Sequence, residues 1–197
     1  MHTRVNIIFG RTDLVEDGLS RLEESDRSAV EATDGNRGLT TLTDRAAGVL
    51  VAVSYWDEPA QASAAALTRA RADAVTAAGG DLVVENFEVV SQEALTVPTA
   101  GAVARLVRVR IELERLTEAV TFLHGEVLRR LRVEAGFRLA ELMVDRESGS
   151  GLLLVVWTDE EAATRTDALL DRVRDDAVAR GGTTFPRSET YALVGTT

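Results

Sequence analysis

Few residues of this 197-residue chain carry side chains suited to chemistry, and their types narrow what that chemistry could be. Cysteine is absent, which excludes a thiolate nucleophile, thiolate metal sites and disulfides. Apart from His2 at the amino terminus, His124 is the one histidine, and it could act near neutral pH as a general base or a metal ligand. It stands one turn from Val120 and from Leu128, so it could face a space between helix and sheet, or simply pack and hydrogen-bond there. Asn6 lies in the apolar run Thr3 to Phe9, and a buried carboxamide needs partners. Arg108 and Arg110 alternate with Val107, Val109 and Ile111, which places both on one face of a strand. On a cavity wall they could hold a carboxylate by forked hydrogen bonds; near a sheet edge they would pair with Glu112, Glu114 or Glu189. Tyr55 and Tyr191 could each supply a phenol or only pack. Trp56 and Trp157, the only tryptophans, each end an apolar strand and could present a flat aromatic wall to a ligand or fill the core.

The two tryptophans stand at one offset, 101 positions, and so does much around them. Gly35/Gly136, Arg37/Arg138, Asp44/Asp145, Arg45/Arg146 and Gly48/Gly149 share it, so one unit is written twice. In the first copy, Thr3 to Phe9 reads as a strand and Asp13 as the N-cap of a helix containing Leu14, Leu19, Leu22 and Val30. Leu39 to Thr43 and the run ending at Trp56 form a hairpin. Glu58-Pro59 opens a second helix that reaches Ala78, where Gly79-Gly80 stops it. Asp81 to Val90 is the fourth strand. In the second copy Val103 to Ile111 is a strand, followed by a helix marked by Leu116, Val120, Leu123, Val127 and Leu131. Leu139 to Val144 and Leu152 to Trp157 make the hairpin, and Asp159 caps a helix to about Ala179. Gly181-Gly182 matches Gly79-Gly80 with a one-residue insertion, and Phe185 to Val194 closes the copy. These glycine pairs end helices and do not begin them, so they are not phosphate cradles. The resulting domains are 1–91 and 102–197, with 92–101 as a linker containing Pro98 and Gly101.

The order β-α-β-β-α-β is the ferredoxin-like split motif, an α+β fold with helices on one sheet face. Leu152 to Trp157 is apolar on both faces, so the open face needs cover. Two tandem units packed sheet to sheet would supply it. A formal charge of −10 and a pI near 4.8 argue against nucleic-acid or anionic-membrane partners. The amino-terminal residues lack the apolar core of a signal peptide, and no apolar run reaches membrane-spanning length, so the expected location is cytoplasmic. No converging metal-ligand spacing, nucleotide loop, nucleophile elbow or paired-acid motif is present. Asp26, where the second copy has Val127, indicates that the two halves have diverged.

The turn "DRESG", the run "LLLVVW" before "TDEEAA", and the early "RVRIELERLTEAVTFL" resemble the dimeric α/β-barrel superfamily and, within it, the antibiotic-biosynthesis-monooxygenase-like domain. The resemblance covers nearly the whole chain, once per half, and implies the usual dimeric barrel fused into one polypeptide, a pseudo-dimer, with further homo-oligomers left open. It implies cofactor-independent monooxygenase chemistry on a planar, apolar or aromatic small molecule. Trp56, Trp157, Arg108 and Arg110 would then bind substrate, and Asn6 or His124 would assist proton removal, with neither metal nor other cofactor. In haem-degrading relatives a first-strand asparagine works with the strand-end tryptophan and a helix histidine. Here Glu58 to Ala78 contains no histidine and Val107 stands at the place of Asn6, a departure from that pattern. The competing reading is a non-catalytic small-ligand-binding or interaction protein on the same barrel.

Overall fold

The computed structural model describes residues 1–180 and 182–197. Two β-α-β-β-α-β units are found, and their strand registers repeat at the offset of the sequence. In the first unit, β1 (His2–Phe9) runs antiparallel to β3 (Val49–Trp56), from His2 opposite Trp56 to Phe9 opposite Val49. In the second, β5 (Val103–Ile111) pairs in the same way with β7 (Ser150–Trp157), from Val103 opposite Trp157 to Arg110 opposite Ser150. The hairpin partners β2 (Asn36–Asp44) and β6 (Phe137–Val144) each carry a bulge opposite the end of the tryptophan strand.

The last strand of each unit is long. Strands β4 (Asp81–Ala94) and β8 (Thr183–Thr196) have 14 residues each. The compact units divide both: residues 1–86 and 192–197 make the first, residues 87–191 the second. Hydrogen-bonded strand order closes on itself as β1-β3-β2-β8-β5-β7-β6-β4, an eight-stranded barrel. Strand β4 therefore runs past Val90 into the segment read as linker, and Ala94 still pairs with Leu139. Strand β8 ends against β2, where Thr40 faces Thr196.

The helices cover one sheet face in each unit. The first helix is α1 (Val15–Arg21), a π-helical turn (Leu22–Asp26) and α2 (Arg27–Glu31). Its counterpart is α4 (Leu116–Phe122), a π turn (Leu123–Leu128) and α5 (Arg129–Arg132). Asp13 does not cap α1: its carboxylate accepts from Arg11 at 2.7 and 3.0 Å, and Leu14 takes the N-cap position. Pro59 starts a 3₁₀ turn, Pro59–Ser63, and α3 (Ala65–Ala78) follows. Asp159 does cap α6 (Glu160–Arg165), accepting from the Ala162 N–H at 2.8 Å. That helix breaks at Thr166, whose hydroxyl bonds the Ala163 carbonyl, before α7 (Asp167–Ala179). The first core joins Ile8, Leu50 and Trp56 to Leu22, Leu67 and Ala74. The second joins Val109, Val155 and Trp157 to Leu123, Leu131 and Ala163. Among the described residues no helix is long and apolar enough to cross a membrane.

Gly182, at φ +76°, is the counterpart of Gly79, at φ +61°. The second helix of the second unit thus stands at an offset of 103, two residues beyond the rest of the repeat; Gly181 lies outside the described residues.

The hairpin glycines have a steric reason. Gly48 and Gly149 sit at φ +69° and +70°, and each carbonyl accepts from the end of the unit's first strand, Gly10 N–H at 2.9 Å and Ile111 N–H at 2.8 Å. A Cβ on Gly149 would lie 2.1 Å from the Ile111 carbonyl oxygen. Gly149→Ala is expected to destabilise the fold by about 1–3 kcal/mol in urea unfolding, from the strained dihedral and the backbone clash. Gly125→Ala, where a Cβ meets open space on a helix, should instead stabilise by roughly 0.5–1 kcal/mol.

Candidate functional site

Strand alternation sets which side chains meet the helices. Ile8 and Ala52 belong to the first core, and Asn6 pairs with Ala52, so Arg4, Asn6 and Ile8 face the helices together. By the same parity Arg105, Val107 and Val109 face the helices of the second unit. Each π turn sends side chains back toward that face. Leu22 and Asp26 are buried in the first unit, Leu123 and Val127 in the second. A π turn admits one extra residue per turn, and such turns are frequent at functional sites.

In the first unit this space is filled by charge. Asp26 and Arg71 are 1% and 2% exposed, and Arg71 Nε stands 3.6 Å from Asp26 Oδ1, an ion pair too long for a hydrogen bond. Arg71 Nη1 donates to the Ala62 carbonyl at 2.9 Å, while its Nε and Nη2 have no acceptor. Neither Asp26 oxygen has a donor, and both amide atoms of Asn6 are buried without partners. Burial pushes the Asp26 carboxyl above its ordinary pKa against the opposing pull of Arg71 and Arg27. Burial likewise lowers Arg71, with Asp26 opposing and nearby Arg4 adding to the effect. Both partners shift toward neutrality, so desolvation outweighs their attraction.

In the second unit the equivalent space is open. A cavity of about 310 Å³ has a floor of Val107 and Leu153 from the sheet and Leu123 and Val127 from the π turn. Leu170, Val173 and Phe185 complete its apolar wall. Its rim is polar: Arg105 is ion-paired with Asp167, and Arg174 with Asp171 at 3.1 Å, with Ser188 beside them. Position by position, Val107 replaces Asn6, Val127 replaces Asp26, and Arg174 stands where Arg71 does once the 103-residue offset is used. Without a buried carboxylate to attract it, Arg174 pairs outward with Asp171.

The residues singled out by sequence are dispersed. Trp56 and Trp157 are wholly buried in their cores, outside the cavity lining. Trp56 Nε1 donates to Ser54 Oγ at 2.9 Å. Val155 takes the place of Ser54 in the second unit, and Trp157 Nε1 is left without an acceptor, its ring edge-on to Phe137 with centroids 5.7 Å apart. His124 is exposed and shares a 2.6 Å hydrogen bond with Ser91, so it does not turn into the space between helix and sheet. Arg108 and Arg110 fall on the strand face opposite Arg105 and Val107, hence away from the cavity. Arg108 lies near Tyr191, whose phenol is pushed up to about 12 by burial and by Glu189, and so stays neutral. Arg110 is exposed beside Glu112 and Thr184. Among the described residues no group of three or more His, Cys, Asp or Glu side chains converges as a metal site requires.

The sequence reading missed Arg105, Asp167, Asp171 and Arg174. Arg105 was detectable from its two-residue spacing to Val107. Arg174 was hidden by the changed offset.

No family model matches the sequence. An uncharacterized protein of Mycobacterium tuberculosis, Rv2557, is 25% identical over 167 residues, which span 84% of this chain and 75% of the relative. Among solved structures, a candidate monooxygenase from Fusobacterium nucleatum superposes with a TM-score of 0.72 at 14% identity, covering 98% of this chain and 91% of that one. An anthrone oxidase-like protein superposes at 0.69 with 16% identity, covering 100% and 92%.

The buried pair generates a test by unfolding. Arg71→Leu alone strands the Asp26 carboxylate and should cost about 3–5 kcal/mol at neutral pH, whereas Asp26→Val with Arg71→Leu should be neutral or stabilising. A carboxyl whose folded pKa is raised favours the folded state below its ordinary pKa and loses that contribution as pH rises through the raised value. The cost of Arg71→Leu should therefore shrink as pH falls toward about 4. A pH-independent deficit in urea unfolding would count against this account.

Proposed function

We propose, for a chain whose fold is that of the antibiotic-biosynthesis-monooxygenase-like barrels with both halves in one polypeptide, that the second unit binds a small, largely apolar molecule. The cavity in that unit carries this reading. Its volume falls at the lower end of the roughly 300–1,000 Å³ common to small-molecule sites, and an apolar floor under a few convergent polar groups is the usual composition of such sites. Burial of a flat hydrocarbon body against Val107, Leu123 and Leu153 would supply most of the affinity. The first unit, with its space taken by Asp26 and Arg71, serves as scaffold.

A second reading makes the same cavity an oxygenase site. The described relatives by structure include a candidate monooxygenase and an anthrone oxidase-like protein, and two carboxylates, Asp167 and Asp171, stand on the cavity rim. In that reading an electron-rich substrate reacts directly with oxygen after giving a proton to one of these carboxylates, and the cavity holds it in place. Asn6 and His124, expected from sequence to assist proton removal, stand outside the cavity lining, so binding without turnover is the reading the geometry favours.

Titration with 2-naphthol is expected to shift the methyl resonances of Val107, Val127 and Leu153 saturably. Val127→Phe, which fills the cavity, should weaken binding by at least about tenfold while the fold persists. Unchanged methyl resonances across a range of flat aromatic compounds would sink the proposal. Oxygen uptake with anthrone, lost in the same variant, would move the conclusion to the oxygenase reading.

A further inference from the structure

The rim of the second unit's cavity leaves two donors unanswered. Arg105 and Arg174 each commit Nη1 to an aspartate, Asp167 and Asp171 respectively. The Nε of each arginine is shielded from solvent and has no acceptor. A buried N–H left without an acceptor is costly, so two on one rim mark where a ligand's acceptor atoms belong. A guanidinium presents Nε and Nη2 as a planar fork that matches the two oxygens of a carboxylate, as Arg11 and Arg37 do with Asp13 and Asp57, so this fork can take a ligand while Nη1 stays on its aspartate.

The aspartates occupy only one side of each guanidinium. The Arg105 side chain is 18% exposed and Asp167 44%; Arg174 is 40% exposed and Asp171 66%. An ion pair with a solvent-facing aspartate contributes little net stability, so that aspartate competes only weakly with a second carboxylate on the same guanidinium. Asp167 is also in the first turn of the thirteen-residue α7, where its charge stays favourable without Arg105. A carboxylate tethered to an apolar body would reach Arg105 from the cavity side, with the body over Val107 and Leu153.

Resting on the reading of this cavity as a ligand site, we propose that its ligand is an apolar monocarboxylate, held by the Nε and Nη2 fork of Arg105 and by Arg174 Nε, with Asp167 remaining on Nη1 of Arg105. The preference for an acid arises from the donors; the apolar floor sets only size and shape.

Calorimetry on the whole chain at pH 7.5 tests this with 2-naphthoate and its uncharged counterpart 2-naphthalenemethanol. The acid is expected to bind about tenfold tighter than the alcohol. Asp167→Asn should tighten the acid several-fold and widen its margin over the alcohol, since the repulsion between two carboxylates on one guanidinium is gone. Arg105→Gln should abolish the preference for the acid, with a urea midpoint close to that of the wild type reporting an intact fold. Equal or tighter binding of the alcohol by the wild type would overturn the carboxylate assignment and leave the ligand site standing, as would a loss of acid affinity in Asp167→Asn. Binding of neither compound would overturn the ligand site itself.

Discussion

Which side chains can meet in either half depends on the two-residue alternation of a strand, locked by antiparallel pairing with the tryptophan strand. Eight consecutive pairs hold β1 against β3, and eight hold β5 against β7. A slip of one residue would exchange the two faces completely. Under the observed register Arg4, Asn6 and Ile8 face the first unit's helices, and Arg105, Val107 and Val109 face the second's. The same parity sends Arg108 and Arg110 to the other face, however suitable their chemistry looks in the sequence. The helices answer with π turns at equivalent places, which turn Asp26 in one unit and Val127 in the other toward the sheet.

From this shared frame the two halves have gone opposite ways. In the first, a carboxylate, a guanidinium and a carboxamide occupy the space between helix and sheet with few hydrogen bonds among them. Taking ions out of water costs more than a 3.6 Å contact returns, and both partners consequently shift toward their neutral forms. In the second, valines at the places of Asn6 and Asp26 remove that cost and leave a cavity. The arginine common to both units follows its carboxylate: inward to Asp26 in the first, outward to Asp171 in the second.

The open half combines an apolar interior with a rim of two arginines and two aspartates. Its charges balance, so the ligand we propose would be discriminated by which hydrogen-bonding valences remain free and not by net field. That distinction matters in a chain of formal charge −10, whose overall potential repels anions at long range. Local donors at an apolar cavity can outweigh that repulsion because salt screens the distant charges and not the contact.

Much of the fold was legible in the sequence because its signals are local. Hydrophobic periodicity marked the strands and helices, and Gly35, Gly48, Gly79 and their counterparts recur where the chain must take positive φ that other residues avoid. Repetition of Gly35, Gly48 and Trp56 at one offset revealed the duplication. Tertiary structure alone decided what depends on distant partners. Asp13 paired with Arg11 instead of capping a helix, β4 continued into the start of the expected linker, as far as Ala94, because β6 offered its edge, and His124 turned out to Ser91. The meeting of Asp26 with Arg71, 45 positions apart, and of Arg105 with Asp167, 62 apart, leaves no periodic trace, since neither residue's neighbours in sequence prescribe the contact. Propensity and pattern specify elements, whereas the direction of one side chain into a shared space is settled only when the elements pack and every burial cost is compared at once.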